Sequence, residues 1–99
     1  MYKIEFSEGV ADDLGAVPAS QRTQVLDQIE VQLRHEPTRR TRNRKVLVGL
    51  VPRWEPVEPV WELRIGEYRV FYDVDAGKST VFIRAIRHKP PHRTTEEIL

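Results

Sequence analysis

The sequence predicts a small α+β domain in which an N-terminal strand and a helical hairpin pack on one face of a mainly antiparallel sheet. Residues 2–6 alternate apolar and polar side chains, residues 7–35 repeat apolar residues at helical spacing, and residues 60–88 alternate again in three runs separated by turns. Helices and strands therefore occupy separate parts of the chain, as is typical of α+β domains. We expect residues 1–99 to form a single domain, because this length supports one core.

The helical hairpin is predicted from its capping and breaking residues. A first helix should begin after Ser7 and end before Pro18, and a second should begin after Ser20. The second helix should end near His35, because Pro37 disfavours helical backbone angles in the residue before it.

The second half of the chain is predicted to be a loop followed by a meander. Residues 36–59 contain four prolines, which exclude a long helix and indicate a loop with a short strand. Gly66 and Glu67 mark the turn of a hairpin. We expect three strands and a final helical turn, at residues 60–65, 68–75, 80–88 and 94–99.

The composition argues against several classes of protein. Without cysteine the chain can form neither a disulfide framework nor a thiolate zinc site, and no apolar run approaches the roughly 20 residues that span a bilayer. His88 and His92 are separated by Pro90 and Pro91, so they cannot ligate a metal at helical spacing. The N-terminal segment lacks the apolar core of a signal peptide. We therefore expect a cytoplasmic protein with no metal, no cofactor and no membrane contact.

Charge is distributed unevenly, although the formal net charge is only +1. Residues 1–36 carry three Lys or Arg against seven Asp or Glu, whereas residues 37–99 carry thirteen against eight. Residues 39–45 alone hold five cations. A solvated loop and a salt-dependent contact with a nucleic-acid backbone both explain this run. Its candidate RNA-binding side chains are Arg40, Arg42, Arg44 and Lys45.

Strand alternation places Arg69 on the sheet face that the helices should leave open. Val70 should face the helices, so Arg69 points the other way, as Arg64 does on the preceding strand. One interpretation pairs Arg69 with Glu62 or Asp73 across the strands. The other assigns it to a phosphate, which the guanidinium fork binds at two points.

The last strand ends in further basic residues, Arg87, His88 and Lys89. Cations at the end of this strand would add to a phosphate site on the open face. His88 is also a candidate acid or base, because an imidazole exchanges protons near neutral pH.

The segment LRIGEYRVFY at residues 63–72 resembles the L-R-x-G-x-Y-R-V-x-Y core of the RelE/ParE superfamily of type II toxins. The resemblance covers nearly the whole chain, including KVLVG at residues 45–49. The segment at residues 51–59 is longer and richer in proline than is usual in the family. It implies a RelE-like fold, a toxin function and a cognate antitoxin that covers the open face. RelE-like members are ribosome-dependent mRNA endonucleases that inhibit translation, whereas ParE-like members inhibit DNA gyrase.

The resemblance also implies roles for particular residues. Arg69 matches the family arginine that stabilises the scissile phosphate. Lys89 matches the basic position after the last strand, or His88 does if the register shifts by one. We therefore expect catalytic roles for Arg69, Lys89 and His88, with RNA contacts by Arg64 and Arg87.

Two features of the family pattern are absent. The family lysines that precede the motif would align near Val60 and Glu62, and the family's C-terminal catalytic tyrosine would align near Thr95, so this chain retains neither. The missing tyrosine favours gyrase inhibition, which needs no acid or base. The retained arginine and basic residues favour metal-independent mRNA cleavage at the ribosome, which is the preferred interpretation. Gyrase inhibition and a non-toxic binding module remain the alternatives.

Overall fold

The computed structural model describes residues 1–99 and contains five strands and three helices. Their order matches the predicted one, including the short strand expected between residues 36 and 59. The elements are β1 (Lys3–Phe6), α1 (Val10–Gly15), α2 (Ala19–Leu33), β2 (Arg44–Val46), β3 (Trp61–Ile65), β4 (Tyr68–Asp75), β5 (Thr80–His88) and α3 (Thr95–Ile98). None of the helices combines the length and hydrophobicity needed to cross a membrane.

All five strands form one sheet in the order β1-β5-β4-β3-β2. β1 runs parallel to β5, with Lys3 opposite Thr80, and every other neighbouring pair is antiparallel. The predicted α+β class and mainly antiparallel sheet are therefore confirmed. The hairpin of β3 and β4 lies near the middle of the sheet, so both of its faces can be covered.

Helices α1 and α2 pack on one face of this sheet, as the alternation predicted. The main core contains Val10 of α1 together with Val25, Ile29 and Leu33 of α2. On the sheet side, alternate residues of β3 and β4 point into the same core. These are Trp61, Leu63, Ile65, Val70 and Tyr72. Burial of a side chain of this size contributes about 1.5–3 kcal/mol, and most of the buried hydrophobic residues lie in this core.

The carboxyl end of α2 is tied to the sheet by two buried side chains. The Tyr72 hydroxyl donates to the carbonyl of Pro37 at 2.8 Å, and burial raises the pKa of this tyrosine far above its ordinary value, against the opposing effect of Arg44. Arg44 donates through Nη1 to the carbonyls of Gln32 at 3.0 Å and Glu36 at 2.8 Å. Carbonyls at a helix C-terminus lack partners within the helix, so Arg44 satisfies groups that would otherwise be orphaned.

The expectation that the second sheet face lies open is wrong at its centre. Segment 47–59 crosses that face, and the Trp54 ring lies 6.4 Å from the ring of Phe71. The backbone N–H of Val57 donates to Oδ2 of Asp73 at 3.2 Å. Phe71 and Asp73 are fully buried as a result. An apolar side chain at position 71 already indicated that part of this face needs a cover.

Both predicted N-caps are also wrong by a few residues. Ser7 still donates its backbone N–H to Ile83 of β5 at 2.9 Å, so the chain remains strand-like there, and Gly9 occupies the N-cap of α1 with φ of 92°. The Ser7 hydroxyl instead accepts from Nη1 of Arg84 at 3.2 Å. α2 begins directly after Pro18 rather than after Ser20.

Candidate functional site

A cationic cleft lies on the second face, beside the part that segment 47–59 covers. Its volume is about 230 Å³, and none of its nine lining residues is apolar. Six of them are Lys or Arg and a single one is acidic, so the cleft suits an anion. The lining residues are Arg42, Asn43, Arg44, Lys45, Glu62, Arg64, Arg69, Lys89 and Thr95.

A row of three arginines crosses this face of the sheet. Arg64 of β3 lies opposite Arg69 of β4, and Arg69 in turn lies opposite Arg87 of β5. Like charges placed directly opposite each other destabilise a sheet by a fraction of a kcal/mol up to about 1 kcal/mol. The row therefore opposes folding and calls for an explanation in function.

Arg69 stands at the centre of the row with a buried side chain. Only 8% of the residue is exposed, and Nη1 donates to the carbonyls of Gly66 and Tyr68, each at 2.9 Å. Burial lowers the pKa of Arg69 below its ordinary value. The negative charge of Glu62 opposes this shift, and the positive charge of Arg64 adds to it. The guanidinium remains charged at neutral pH, because an arginine starts from a pKa above 12.

Arg69 has no carboxylate partner within 4.0 Å, although the sequence offered two. Glu62 instead pairs with Lys45 at 3.5 Å. Asp73 pairs with Arg84 at 3.0 Å. Buried charges in proteins are normally paired, so an unpaired buried guanidinium at the wall of a cleft is a candidate site for an external anion.

Lys89 joins the cleft through the β3–β4 turn. Its backbone N–H donates to the carbonyl of Glu67 at 2.6 Å, which holds the chain after β5 against the turn next to Gly66. The side chains of Lys89 and Arg64 form no ion pair or hydrogen bond within the protein. Together with Arg69, these two residues place three cations without an acidic partner in one cleft.

The rim of the cleft is formed by a tight turn in the basic segment. Thr41 and Arg44 exchange backbone hydrogen bonds of 3.1 and 3.3 Å, which places Arg42 and Asn43 at the tip of the turn. The carbonyl of Asn43 accepts from the N–H of Arg64 at 2.7 Å, so the turn is anchored to β3. This part of the segment is therefore ordered rather than a free linker. Arg40 is exposed and does not line the cleft.

Besides Arg40, two of the predicted site residues lie outside the cleft. His88 is on the helix side of β5, with Nε2 at 3.1 Å from Oε2 of Glu67 and its ring 5.3 Å from that of Tyr68. Arg87 turns over the sheet edge to pair with Asp13 at 2.6 Å. Of the basic residues at the end of β5, only Lys89 lines the cleft with Arg69.

Glu62 and Thr95 are site residues that the sequence did not single out. The Thr95 hydroxyl donates to Oε2 of Glu62 at 2.7 Å, which brings α3 over the cleft. Alternation already placed Glu62 on the face of Arg64, but nothing in the sequence showed where residue 95 would return. No three His, Asp or Glu side chains come close enough together to hold a metal ion.

The family of the chain follows from comparison with known proteins. The model for the ParE toxin of the type II toxin–antitoxin system, parDE, matches residues 4–89. The protein therefore belongs to this family, and it is a toxin of a type II toxin–antitoxin system within the RelE/ParE superfamily. A search of curated protein sequences finds no significant match.

Solved structures of RelE toxins share the fold. The archaeal RelE–RelB complex from Pyrococcus horikoshii matches with a TM-score of 0.68 and 23% identity, over 94% of this chain and 98% of that one. The RelBE2 toxin–antitoxin complex from Mycobacterium tuberculosis matches with a TM-score of 0.69 and 25% identity, over 89% and 98%. The isolated E. coli RelE toxin matches with a TM-score of 0.65 and 20% identity, over 96% of this chain and 89% of that one. These matches confirm the RelE-like fold.

A first prediction separates structural from binding cations. Arg44→Ala removes two charge-assisted hydrogen bonds at the end of α2, so it should lower the free energy of unfolding by about 1.5–3 kcal/mol. Arg42→Ala, two residues away at the exposed tip of the turn, should change it by less than about 0.5 kcal/mol. Chemical denaturation of both variants measures the difference. Equal losses would contradict the structural role of Arg44.

Proposed function

We propose that this toxin cleaves mRNA on the ribosome without a metal ion, and that cleavage stops translation. The observation that carries the proposal is the buried guanidinium of Arg69, which has no carboxylate partner and faces a cleft shared with Arg64 and Lys89. Arginine forks bind phosphates at two points, and RNA presents a phosphodiester at every nucleotide.

The cleft has the cations that such a reaction needs. When the RNA 2′-hydroxyl attacks the neighbouring phosphorus, negative charge builds on the phosphoryl oxygens. Arg69, held by the turn carbonyls, is fixed where it can stabilise that charge without reorganisation. Lys89 is an ammonium that can donate a proton to the leaving 5′-oxygen. Arg64 contributes a second guanidinium for the phosphate.

The exposed basic residues extend this surface beyond the reacting phosphate. Arg42 and Lys45 border the cleft, and Arg40 lies farther along the same segment. Contacts of this kind release counterions and are independent of sequence, so they favour a long RNA over a single nucleotide. Arg44 is committed to the helix carbonyls and Arg87 to Asp13, so neither belongs to the proposed contact set.

Inhibition of DNA gyrase is the second candidate function. The match to the ParE toxin model favours it, as does the absence of histidine and tyrosine from the cleft. A gyrase inhibitor needs to bind its target but needs no acid or base. The cationic cleft would then serve binding alone.

We also propose that the cognate antitoxin covers the cleft. Complexes of RelE toxins with RelB are among the structural relatives. In this chain segment 47–59 already occupies the centre of the second face, which leaves the cationic part exposed. An acidic antitoxin segment seated there would neutralise the charge of Arg64 and Lys89 and exclude RNA, in the cytoplasm where both partners are expected.

The two candidate functions predict different responses to induced expression. mRNA cleavage should stop incorporation of labelled amino acids within minutes while DNA synthesis continues. The measurement follows protein synthesis and DNA replication separately in one culture, with the antitoxin co-expressed as the control. An SOS response with continuing translation would reject mRNA cleavage in favour of gyrase inhibition.

A matched pair of neighbouring residues tests which face of β5 carries the activity. Lys89→Gln removes a cation from the cleft and should slow ribosome-dependent mRNA cleavage by about 100-fold or more. His88→Gln alters the opposite face and should change the rate by no more than a few-fold. Single-turnover cleavage of a short mRNA on stalled ribosomes gives both rates. Loss of cleavage in the His88 variant alone would move the active site to the helix side.

A further inference from the structure

The cationic cleft contains one carboxylate, and its position is fixed. The side chain of Glu62 is only 5% exposed, in a cleft whose other charged side chains are all Lys or Arg. Oε2 accepts the hydroxyl proton of Thr95 at 2.7 Å. Oε1 pairs with the Nζ atom of Lys45 at 3.5 Å and accepts no hydrogen bond.

Attack by a 2′-hydroxyl requires a group that can accept its proton. Arginine stays protonated at every physiological pH, and a lysine ammonium is a donor. The hydroxyl of Thr95 and the amide of Asn43 are not bases at neutral pH. Glu62 is therefore the one side chain that lines the cleft and carries lone pairs of useful basicity.

We propose that Glu62 is the general base of the cleft. The proposal rests on the proposed mRNA cleavage and completes it, because His88 lies on the opposite face. Thr95 acts as a positioning residue that holds Oε2 and turns Oε1 toward the substrate. Lys45 compensates the charge of the buried carboxylate between turnovers.

The step balances without any further reactant. Oε1 of Glu62 takes the 2′-hydroxyl proton as the 2′-oxygen forms a bond to phosphorus. The bond from phosphorus to the 5′-oxygen breaks, and the Lys89 ammonium protonates that leaving oxygen. The products are a 2′,3′-cyclic phosphate and a 5′-hydroxyl. Proton transfer from the protonated Glu62 to the neutral Lys89, through water, restores both groups.

The architecture of α3 supports a fixed role for this pair. Thr94 caps α3 by accepting the backbone N–H of Glu97 at 3.3 Å, and the Glu97 side chain accepts the N–H of Thr94 at 2.8 Å. This reciprocal cap orders the first turn, which is where Thr95 reaches the cleft. The short helix α3 is thereby placed so that Thr95 orients the Glu62 side chain of β3.

The direct test compares Glu62→Gln with Glu67→Gln, which alters an exposed carboxylate of the adjacent turn outside the cleft. A general base contributes about 100-fold to 10,000-fold, so Glu62→Gln should slow single-turnover cleavage by at least 100-fold. It removes a negative charge from a cationic cleft, so binding of a 2′-deoxy substrate analogue should be unchanged or tighter. Glu67→Gln should cleave at the wild-type rate. Wild-type cleavage by Glu62→Gln overturns the proposal.

A second pair keeps the test decisive if Glu62→Gln lowers stability. Glu62→Asp and Glu62→Asn are equally shortened, but only the Asp carboxylate is a base, so the Asp variant should cleave at least 10-fold faster than the Asn variant. Equal rates in the two variants overturn the proposal.

A substrate with a modified leaving group distinguishes the general base from the general acid. An mRNA with sulfur in place of the leaving 5′-oxygen needs no acid, so it should restore cleavage by Lys89→Gln and leave Glu62→Gln slow. Restored cleavage by Glu62→Gln would instead show that Glu62 is the general acid. Wild-type protein that cleaves neither mRNA would reject mRNA cleavage itself, an outcome distinct from a failure of the Glu62 assignment.

Discussion

A buried positive charge without a partner is the constraint around which the second sheet face is arranged. Arg69 lies between Arg64 and Arg87 in the cross-strand register, which is the least favourable place for a third guanidinium. Asp13 draws Arg87 away over the sheet edge, and two turn carbonyls hold Arg69 in place. Proteins keep such local conflicts at functional sites and compensate for them elsewhere. Here the compensation is the apolar core on the opposite face.

The second face is divided into a part covered by segment 47–59 and a cationic part. In the covered part Trp54 packs on Phe71, and Asp73 pairs with Arg84, which also stacks on Phe82 at 4.8 Å from the ring centre. These contacts satisfy every buried charge there. In the cationic part six Lys or Arg side chains meet a single carboxylate, and only Lys45 pairs with it. The charge that remains is what an RNA backbone or an acidic antitoxin would meet.

The sequence predicts the fold better than the site, for a physical reason. Period-2 alternation in β3 and β4 assigned Val70 and Arg69 to opposite faces, because that assignment depends only on local geometry. The partners of Arg44 and Glu62 could not be found in this way. Arg44 donates to a carbonyl at the end of α2, and Glu62 accepts a hydrogen bond from Thr95, which lies near the C-terminal end of the chain.

Segment 47–59 illustrates the same limit. Its prolines correctly predicted a loop, since proline restricts the backbone locally. They gave no indication that Trp54 would pack on Phe71, which depends on the path of the segment across the sheet. In the same way, His88 and Lys89 are adjacent in sequence and yet face opposite sides of the sheet. A shift of one residue in a strand decides which of them belongs to the site.

Binding of a phosphate by Arg69 can be measured directly by nuclear magnetic resonance. The Nε–H signal of Arg69 would be followed in the toxin released from its antitoxin, during titration with a 2′-deoxy dinucleotide that cannot be cleaved. Phosphate binding at Arg69 predicts a saturable shift of this signal, together with that of the Lys89 ammonium, at the same ligand concentration. Shifts confined to the exposed Arg40 and Arg42, with the Arg69 signal unmoved, would contradict it.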